Sequence, residues 1–352
     1  MDIINTIQLV ISWIFIVAVA LPFVRNDYWV FRILEYPRYQ KFIISCIVLA
    51  SFLITRQYDQ TFAVITLLAL TCCILYLGYK IWPYTPVAQK EMKTITAKNS
   101  GDQIKVFSAN VYQDNSLYQQ ILQQIDNNDP DIIMLLETDK LWEKEMDKLI
   151  KDYPHCLKEP LDNTYGLLFY SKFHIANGAI KYLADDDVPS IEATIILPSG
   201  QHVKIWGLHP KPPVPGEDNK STAKDKEIMK IAFKVKNEKL PVIVMGDLND
   251  VAWSYVTELF RKTSGLLDPR RGRGFYSTFS ANHWFMRFPL DYVFCSSHFG
   301  LINMKRLDHN GSDHFPMFSH FEYQPALEKV QEKPEADAQE IQEAAKKAKQ
   351  PV

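Results

Sequence analysis

The 352-residue chain is short of cysteine and carries no surplus of charge of either sign. Five cysteines, with no pair at zinc-site spacing, exclude both a disulfide framework and a structural zinc cluster. Cys46, Cys72 and Cys73 lie within apolar runs, which leaves Cys156 and Cys295 as ordinary thiols. A formal net charge of −2 argues against a protein that coats duplex nucleic acid, since such proteins carry a basic excess. The first apolar run has no basic segment before it and no small-residue cleavage site after it, which disfavours a removable secretory signal. No internal repeat is visible.

Apolar residues are gathered at the front of the chain. Residues 3–24 are uncharged and long enough to cross a bilayer. Phe42–Thr55 is shorter and spans only by recruiting Tyr39, Lys41 and Arg56, whose side chains snorkel to the interface. Thr61–Gly78 follows a polar turn, Arg56 to Gln60, and ends in a collar of Tyr79, Lys80, Trp82 and Tyr84. The expectation is a multi-pass cell-membrane protein with an anchor of about three transmembrane helices over residues 1–84. Arg25, Arg32, Arg38 and Lys41 between the first two runs share a side with Lys80, Lys90, Lys93 and Lys98, which by the positive-inside rule is the cytoplasm.

After a linker over 85–101 the texture becomes that of an α/β domain, residues 102–323. Predicted strands are Ile104–Asn110, Asp131–Glu137, Gly166–Tyr170, Ile191–Leu197, Val203–Leu208, Val242–Met245 and Asp291–Phe294. Asp114, Asn115 and Ser116 are candidates to cap a helix with Leu117, Ile121, Leu122 and Ile125 on one face. The lysine-rich stretch Asp218–Lys239 reads as a solvated helix face, and residues 324–352 as a charged tail, either a frayed helix or disordered.

Polar residues cluster where predicted strands end: Asn110, Glu137, His209, Asp247 and Asn249 in GDLND, Asp291 opening DYVF, and Asp313 and His314 in GSDHFP. Side chains at strand ends share a crevice in many α/β architectures. Singly each also reads as a turn, capping or surface residue; their joint order and spacing give them weight.

In that order the residues resemble the endonuclease/exonuclease/phosphatase superfamily, the deoxyribonuclease-I-like fold, over about residues 102–323, and the segments His209–Pro213, PVIVMGDLNDVAWS and Gly265–Arg273 (GLLDPRRGR) resemble its membrane-anchored bacterial branch. The resemblance implies an α/β sandwich of two sheets and a metal-dependent hydrolase acting on a phosphate ester or anhydride. Glu137 and Asp313 would hold one Mg²⁺ or Mn²⁺ through hard oxygens. Asp247 would activate water, Asn110 and Asn249 orient the reacting groups, His314 paired with Asp291 stabilise phosphoryl charge, and His209 assist the leaving group. Tyr112 departs from the acidic or amide residue many nucleases carry two positions after the first asparagine, so a single ion is expected. Arg270, Arg271 and Arg273 are candidates for an anionic head group. The branch implies a lipid-linked phosphate or pyrophosphate and an extracytoplasmic catalytic domain, opposite to the charge count. A nuclease and a catalytically silent membrane-tethered binding module are the alternatives; nucleic acid is disfavoured by a mildly acidic domain.

Overall fold

A computed structural model describes residues 3–55, 61–97 and 102–352; the polar turn at 56–60 and the end of the linker at 98–101 lie outside it. Helix α1 (Ile3–Ala20), a short α2 (Trp29–Ile33), α3 (Arg38–Thr55) and α4 (Thr61–Ile81) open the chain. Three helical segments are long and apolar enough to cross a membrane: Ile3–Phe23, Arg38–Thr55 and Thr61–Tyr84. The second gains its length from an extra turn, Arg38 to Lys41, ahead of the apolar run. Leu9, Val48, Phe52 and Leu70 form the core of this bundle.

The α/β part follows as β1 (Gln103–Asn110), α5 (Tyr118–Asn128), β2 (Ile132–Leu136), α6 (Lys140–Met146), β3 (His155–Glu159), β4 (Leu167–Ser171) and β5 (Ile175–Tyr182). It continues with β6 (Pro189–Ile196), β7 (His202–Leu208), α7 (Thr222–Lys236), β8 (Val242–Asp247), α8 (Tyr255–Ser264), β9 (Asp291–Cys295), β10 (Phe299–Arg306), β11 (Met317–Tyr323) and α9 (Ala338–Lys349). One sheet has the order β10-β11-β1-β2-β4-β3 and the other β5-β6-β7-β8-β9. Alternate residues divide between layers, as the two-residue period of a strand requires. Val106, Ile132 and Met134 meet Ile205, Ile243 and Met245 between the sheets. Phe107, Ile133 and Leu135 pack outward with Ile121 and Trp142 of α5 and α6, while Trp206 and Val244 pack outward with α7 and α8. The result is the two-sheet sandwich with flanking helices that the sequence leads one to expect.

Each sheet contains one parallel pair, β1 with β2 and β7 with β8. Their carboxyl ends therefore lie side by side and deliver Asn110, Glu137, His209 and Asp247 to one rim. Gly246 permits this: its φ is +128° and a Cβ there would stand 2.1 Å from the Leu208 carbonyl oxygen. Asp247 pairs in register with Asp291, the first residue of β9.

Several expectations change on contact with the fold. Helix α5 begins at Tyr118 without a side-chain cap; Asn115 Oδ1 accepts the Leu117 amide in a turn ahead of it instead. Helix α7 is not a solvated face throughout, because Lys224 is buried against Asp250 at 2.8 Å. The segment after α4 is stitched down: Met92 is fully buried, and the Ile95 amide donates to Leu301 O at 2.9 Å. Of the two readings of the charged tail, the helix is the one found in its last part. An Asp337–Glu340 capping box starts α9, Ala344 is buried against the domain, and Lys347 reaches Asp225 at 2.8 Å.

One buried acid gives the fold a pH signature. Glu227 on α7 accepts the Ser190 hydroxyl at 2.6 Å, and burial pushes its carboxyl up to about 7. The native state thus retains a proton that the unfolded chain sheds near its ordinary value of about 4.3, so stability falls as pH rises between the two. Glu227→Gln is expected to remove up to ~3 kcal/mol of that loss, read as a smaller drop in thermal midpoint between about pH 5 and about pH 8.

Candidate active site

A cavity of about 520 Å³ opens at the rim where the parallel pairs end, lined by Glu137, His209, Asp247, Asn249, Asp313 and His314. Asn110 closes its floor: Nδ2 donates to Glu137 Oε1 at 2.6 Å and lies 3.4 Å from Asp247 Oδ2. Glu137 and Asn249 both hold positive φ, 60° and 48°, where the chain turns sharply out of β2 and after β8. Asn249 is fixed through its amide to Asp247 Oδ1 at 2.8 Å and its side chain to Pro210 O at 3.0 Å. The structure brings together all eight catalytic and metal-binding candidates.

His314 arrives from the other sheet, on the loop before β11. Ser312 anchors that loop, donating to Asn110 O at 2.8 Å and accepting the His314 amide at 3.0 Å. The imidazole then lies between two carboxylates, Nδ1 2.9 Å from Asp291 Oδ2 and Nε2 3.5 Å from Asp247 Oδ2. Burial opposes its charge, but Asp291 and Asp247 outweigh burial and hold His314 up to about 10. Raised this far it favours the imidazolium form, with Nδ1 hydrogen-bonded to Asp291 and Nε2 facing Asp247 at ion-pair distance. His209 is the reverse: burial, then the His314 charge, lower it to about 3, and it is a neutral imidazole 4.0 Å from Glu137 Oε1. Asp247 is pushed up to about 7 by burial with His314 opposing, which suits a proton acceptor near neutrality.

Asp247, Asp291 and His314 have ligand atoms within 4.8 Å of one another, the spacing of a metal cluster. That trio is already joined through His314, by its hydrogen bond to Asp291 and its ion pair with Asp247. The open donors are Glu137 and Asp313. Burial pushes Glu137 up to about 7, with the Asn110 hydrogen bond and His314 opposing and Asp313 adding repulsion. Asp313 Oδ1 is buried with no hydrogen-bond partner. Both carboxylates line the cavity and act electrostatically on each other, and as hard-oxygen donors they fit a divalent metal ion.

The three arginines are corrected by the structure. Arg270 is buried and spends its guanidinium on Asp268 at 2.8 and 3.0 Å, on the Asp291 carbonyl at 3.2 Å and on the Tyr292 face. Arg271 bridges Glu91 at 3.0 Å and Glu258 at 3.4 Å. Arg273 donates to Pro269 O, Met92 O and Thr94 Oγ1. None is free for an anion, because each is consumed in binding strand ends or the 85–97 segment to the domain.

Other contributors were not legible. Tyr165 stands over His209 with ring centres 5.4 Å apart and donates to Glu217. The roof comes from the segment between the first two long helices: Ile33, Leu34, Tyr36 and Pro37 line the cavity, and the Tyr36 hydroxyl donates to Asn249 O at 2.7 Å. Phe279, Met286 and Phe288 complete an apolar wall.

A rim of carboxylates, amides and one imidazolium at the end of a two-sheet sandwich defines a hydrolase of phosphate esters. The chain belongs to the Endonuclease/Exonuclease/phosphatase family, whose sequence pattern matches residues 107–314. Members are metal-dependent phosphoesterases and nucleases, and this chain is a hydrolase of that class. No curated protein matches the sequence. Among solved structures, the human nocturnin catalytic domain with bound sulfate superposes with a TM-score of 0.53 at 19% identity, covering 68% of this chain and 99% of that one. D. rerio TDP2 complexed with single-strand DNA product gives 0.52 at 17%, covering 62% and 98%. An endonuclease/exonuclease/phosphatase from Beutenbergia cavernae gives 0.51 at 14%, covering 63% and 72%. At such identities these likenesses speak for the fold alone.

Arg270→Ala separates bracing from ligand binding. It leaves Asp268 buried and unpaired and is expected to cost ~3–5 kcal/mol of stability, measured as unfolding in detergent. A head-group ligand would instead raise KM with stability unchanged.

Proposed function

We propose that this protein is a membrane-anchored, divalent-metal-dependent hydrolase that cleaves a phosphodiester or phosphoanhydride on a substrate carrying an apolar chain. Three long apolar helices form the multi-pass anchor. The observation that carries the substrate reading is the two-faced cavity. Its floor is polar and its roof is Ile33, Leu34, Pro37, Phe279, Met286 and Phe288. Leu34 also lines a second, almost wholly apolar groove of about 730 Å³ that runs along one stripe of α1 from Thr6 to Leu21. Fifteen residue steps of helix make that stripe about 22 Å long. A phosphate on the floor would leave its chain pointing past Leu34 into the groove. A nucleic acid finds little here, since no lysine or arginine lines the cavity.

Glu137 and Asp313 would hold the metal ion, Mg²⁺ or Mn²⁺, with a single ion expected. When bound, it supplies Lewis acidity and charge neutralisation at a phosphoryl oxygen. Asp247 accepts a proton from the attacking water, held in place by Asn110 and the Asn249 turn. His314, charged by Asp291, donates to the phosphoryl oxygen through Nε2 as negative charge develops. Neutral His209 can donate a hydrogen bond toward the leaving oxygen. Asp291 acts through His314.

Full-length protein in detergent with Mg²⁺ is expected to release phosphate from lipid phosphates or pyrophosphates, or the head group from phospholipids, faster than it cleaves single-stranded or duplex DNA. Asp247→Asn and His314→Ala should each lower kcat by roughly 10²–10⁴-fold in protein verified as folded by circular dichroism. Leu34→Asn should narrow the kcat/KM advantage of long-chain over short-chain substrates. Unchanged rates in the first two variants overturn the assigned roles, and inertness of the wild type with either metal on every phosphate class overturns the hydrolase.

A further inference from the structure

Between β8 and β9 the loop Asn282–Met286 stands clear of the domain. Trp284 is 80% exposed, Phe285 54% and Met286 43%, three large apolar side chains in succession facing water. Isolated apolar residues on a surface are ordinary; a consecutive run at a loop tip marks a contact with something apolar. The loop leans on the first turn of α3, where Gln40 Nε2 donates to Phe285 O at 3.0 Å. Tyr39, Ile43 and Ile44 of that helix share with Trp284 and Phe285 a cavity of about 1050 Å³. The tip thus stands level with the start of a helix long and apolar enough to span a bilayer, where tryptophan is favoured.

The other wall of this cavity is basic. Arg287, Lys305 and Arg306 line it and no aspartate or glutamate does. Both guanidiniums lie over one ring, Arg287 at 5.1 Å and Arg306 at 4.2 Å from the centre of Phe315. Arg306 spends one donor on Ser277 O at 2.8 Å. Arg287 Nε is buried with no hydrogen-bond partner. Two like charges held together on an aromatic face, with no counter-charge among the described residues, call for an anion. Arg273 also lines the cavity, but its guanidinium is spent on Pro269 O, Met92 O and Thr94 Oγ1.

We propose that Trp284 and Phe285, with Arg287, Lys305 and Arg306, form a binding site for anionic lipid headgroups that seats this loop in the surface of the bilayer, beside the mouth of the catalytic cavity. The occupant is the phosphate of a membrane lipid: the aromatic tip enters the acyl boundary while the cations meet headgroup oxygens. Met286, the next residue, lines the catalytic cavity, so the seated loop forms the edge over which a lipid substrate enters. The proposal rests on the membrane-anchored reading but not on any hydrolysis.

Full-length protein reconstituted in discs of brominated phosphatidylcholine, with or without phosphatidylglycerol, tests it through tryptophan quenching. Subtracting the signal of Trp284→Phe from that of the wild type isolates Trp284. The expected result is a quenched Trp284, more so with phosphatidylglycerol, and loss of that increment in Arg287→Gln/Arg306→Gln. Equal quenching in wild type and Trp284→Phe overturns the inserted tip, and an increment untouched by the double substitution overturns the headgroup site. Since Trp13 on α1 reports the anchor in both chains, the absence of all quenching overturns membrane anchoring itself. Substrate is not needed, so a failed hydrolysis assay and a failed quenching assay are read separately.

Discussion

Two buried carboxylates that face each other across a sheet ladder repel unless a cation stands between them. β8 and β9 place Asp247 and Asp291 in that position, and His314 from the opposite sheet is the cation. The bridge joins the two halves of the sandwich at the rim where the chemistry is gathered. It also fixes the protonation pattern of its surroundings: with His314 charged, neighbouring His209 stays neutral, and Asp247 keeps an affinity for protons near neutrality. Ser312 and Arg270 hold this arrangement from behind, one at the His314 loop and the other at the start of β9.

The front of the chain is more than a tether. Arg32 reaches buried Asp225 at 3.2 Å, Arg38 reaches Glu35 at 2.7 Å and donates to Trp253 O, and the Trp253 indole returns a bond to Glu35 O at 2.9 Å. These pairs are almost fully shielded, and breaking one member would strand its partner's charge. The long helices and the catalytic sandwich are accordingly coupled through a rigid polar joint. Lys347 of α9 closes the joint by touching both Asp27 and Asp225.

How much of this was legible in the sequence follows from what each residue type can report. Buried parallel strands such as Ile132–Leu136 read as unbroken apolar runs, and a polar residue closing such a run is conspicuous, which is why Asn110, Glu137 and Asp247 stood out. Strands β3, β5, β10 and β11 did not, because HCLKE and IANGAIKY mix polar and small residues at edge or near-edge positions. The arginines of GLLDPRRGR looked available because a sequence shows charge but not the buried Asp268 and Glu91 that absorb it. The cavity roof was invisible for a different reason: Leu34 and Tyr36 lie among residues whose only evident role was to join two apolar runs. Their approach to Asn249, more than two hundred positions away, is a product of tertiary packing alone.

The Tyr36 to Asn249 contact fixes the distance between the long helices and the reacting centre. On the proposed anchoring, such an enzyme searches a plane and not a volume. Its turnover would follow the mole fraction of substrate within the leaflet, remain indifferent to bulk dilution, and slow when inert lipid is added at constant total substrate.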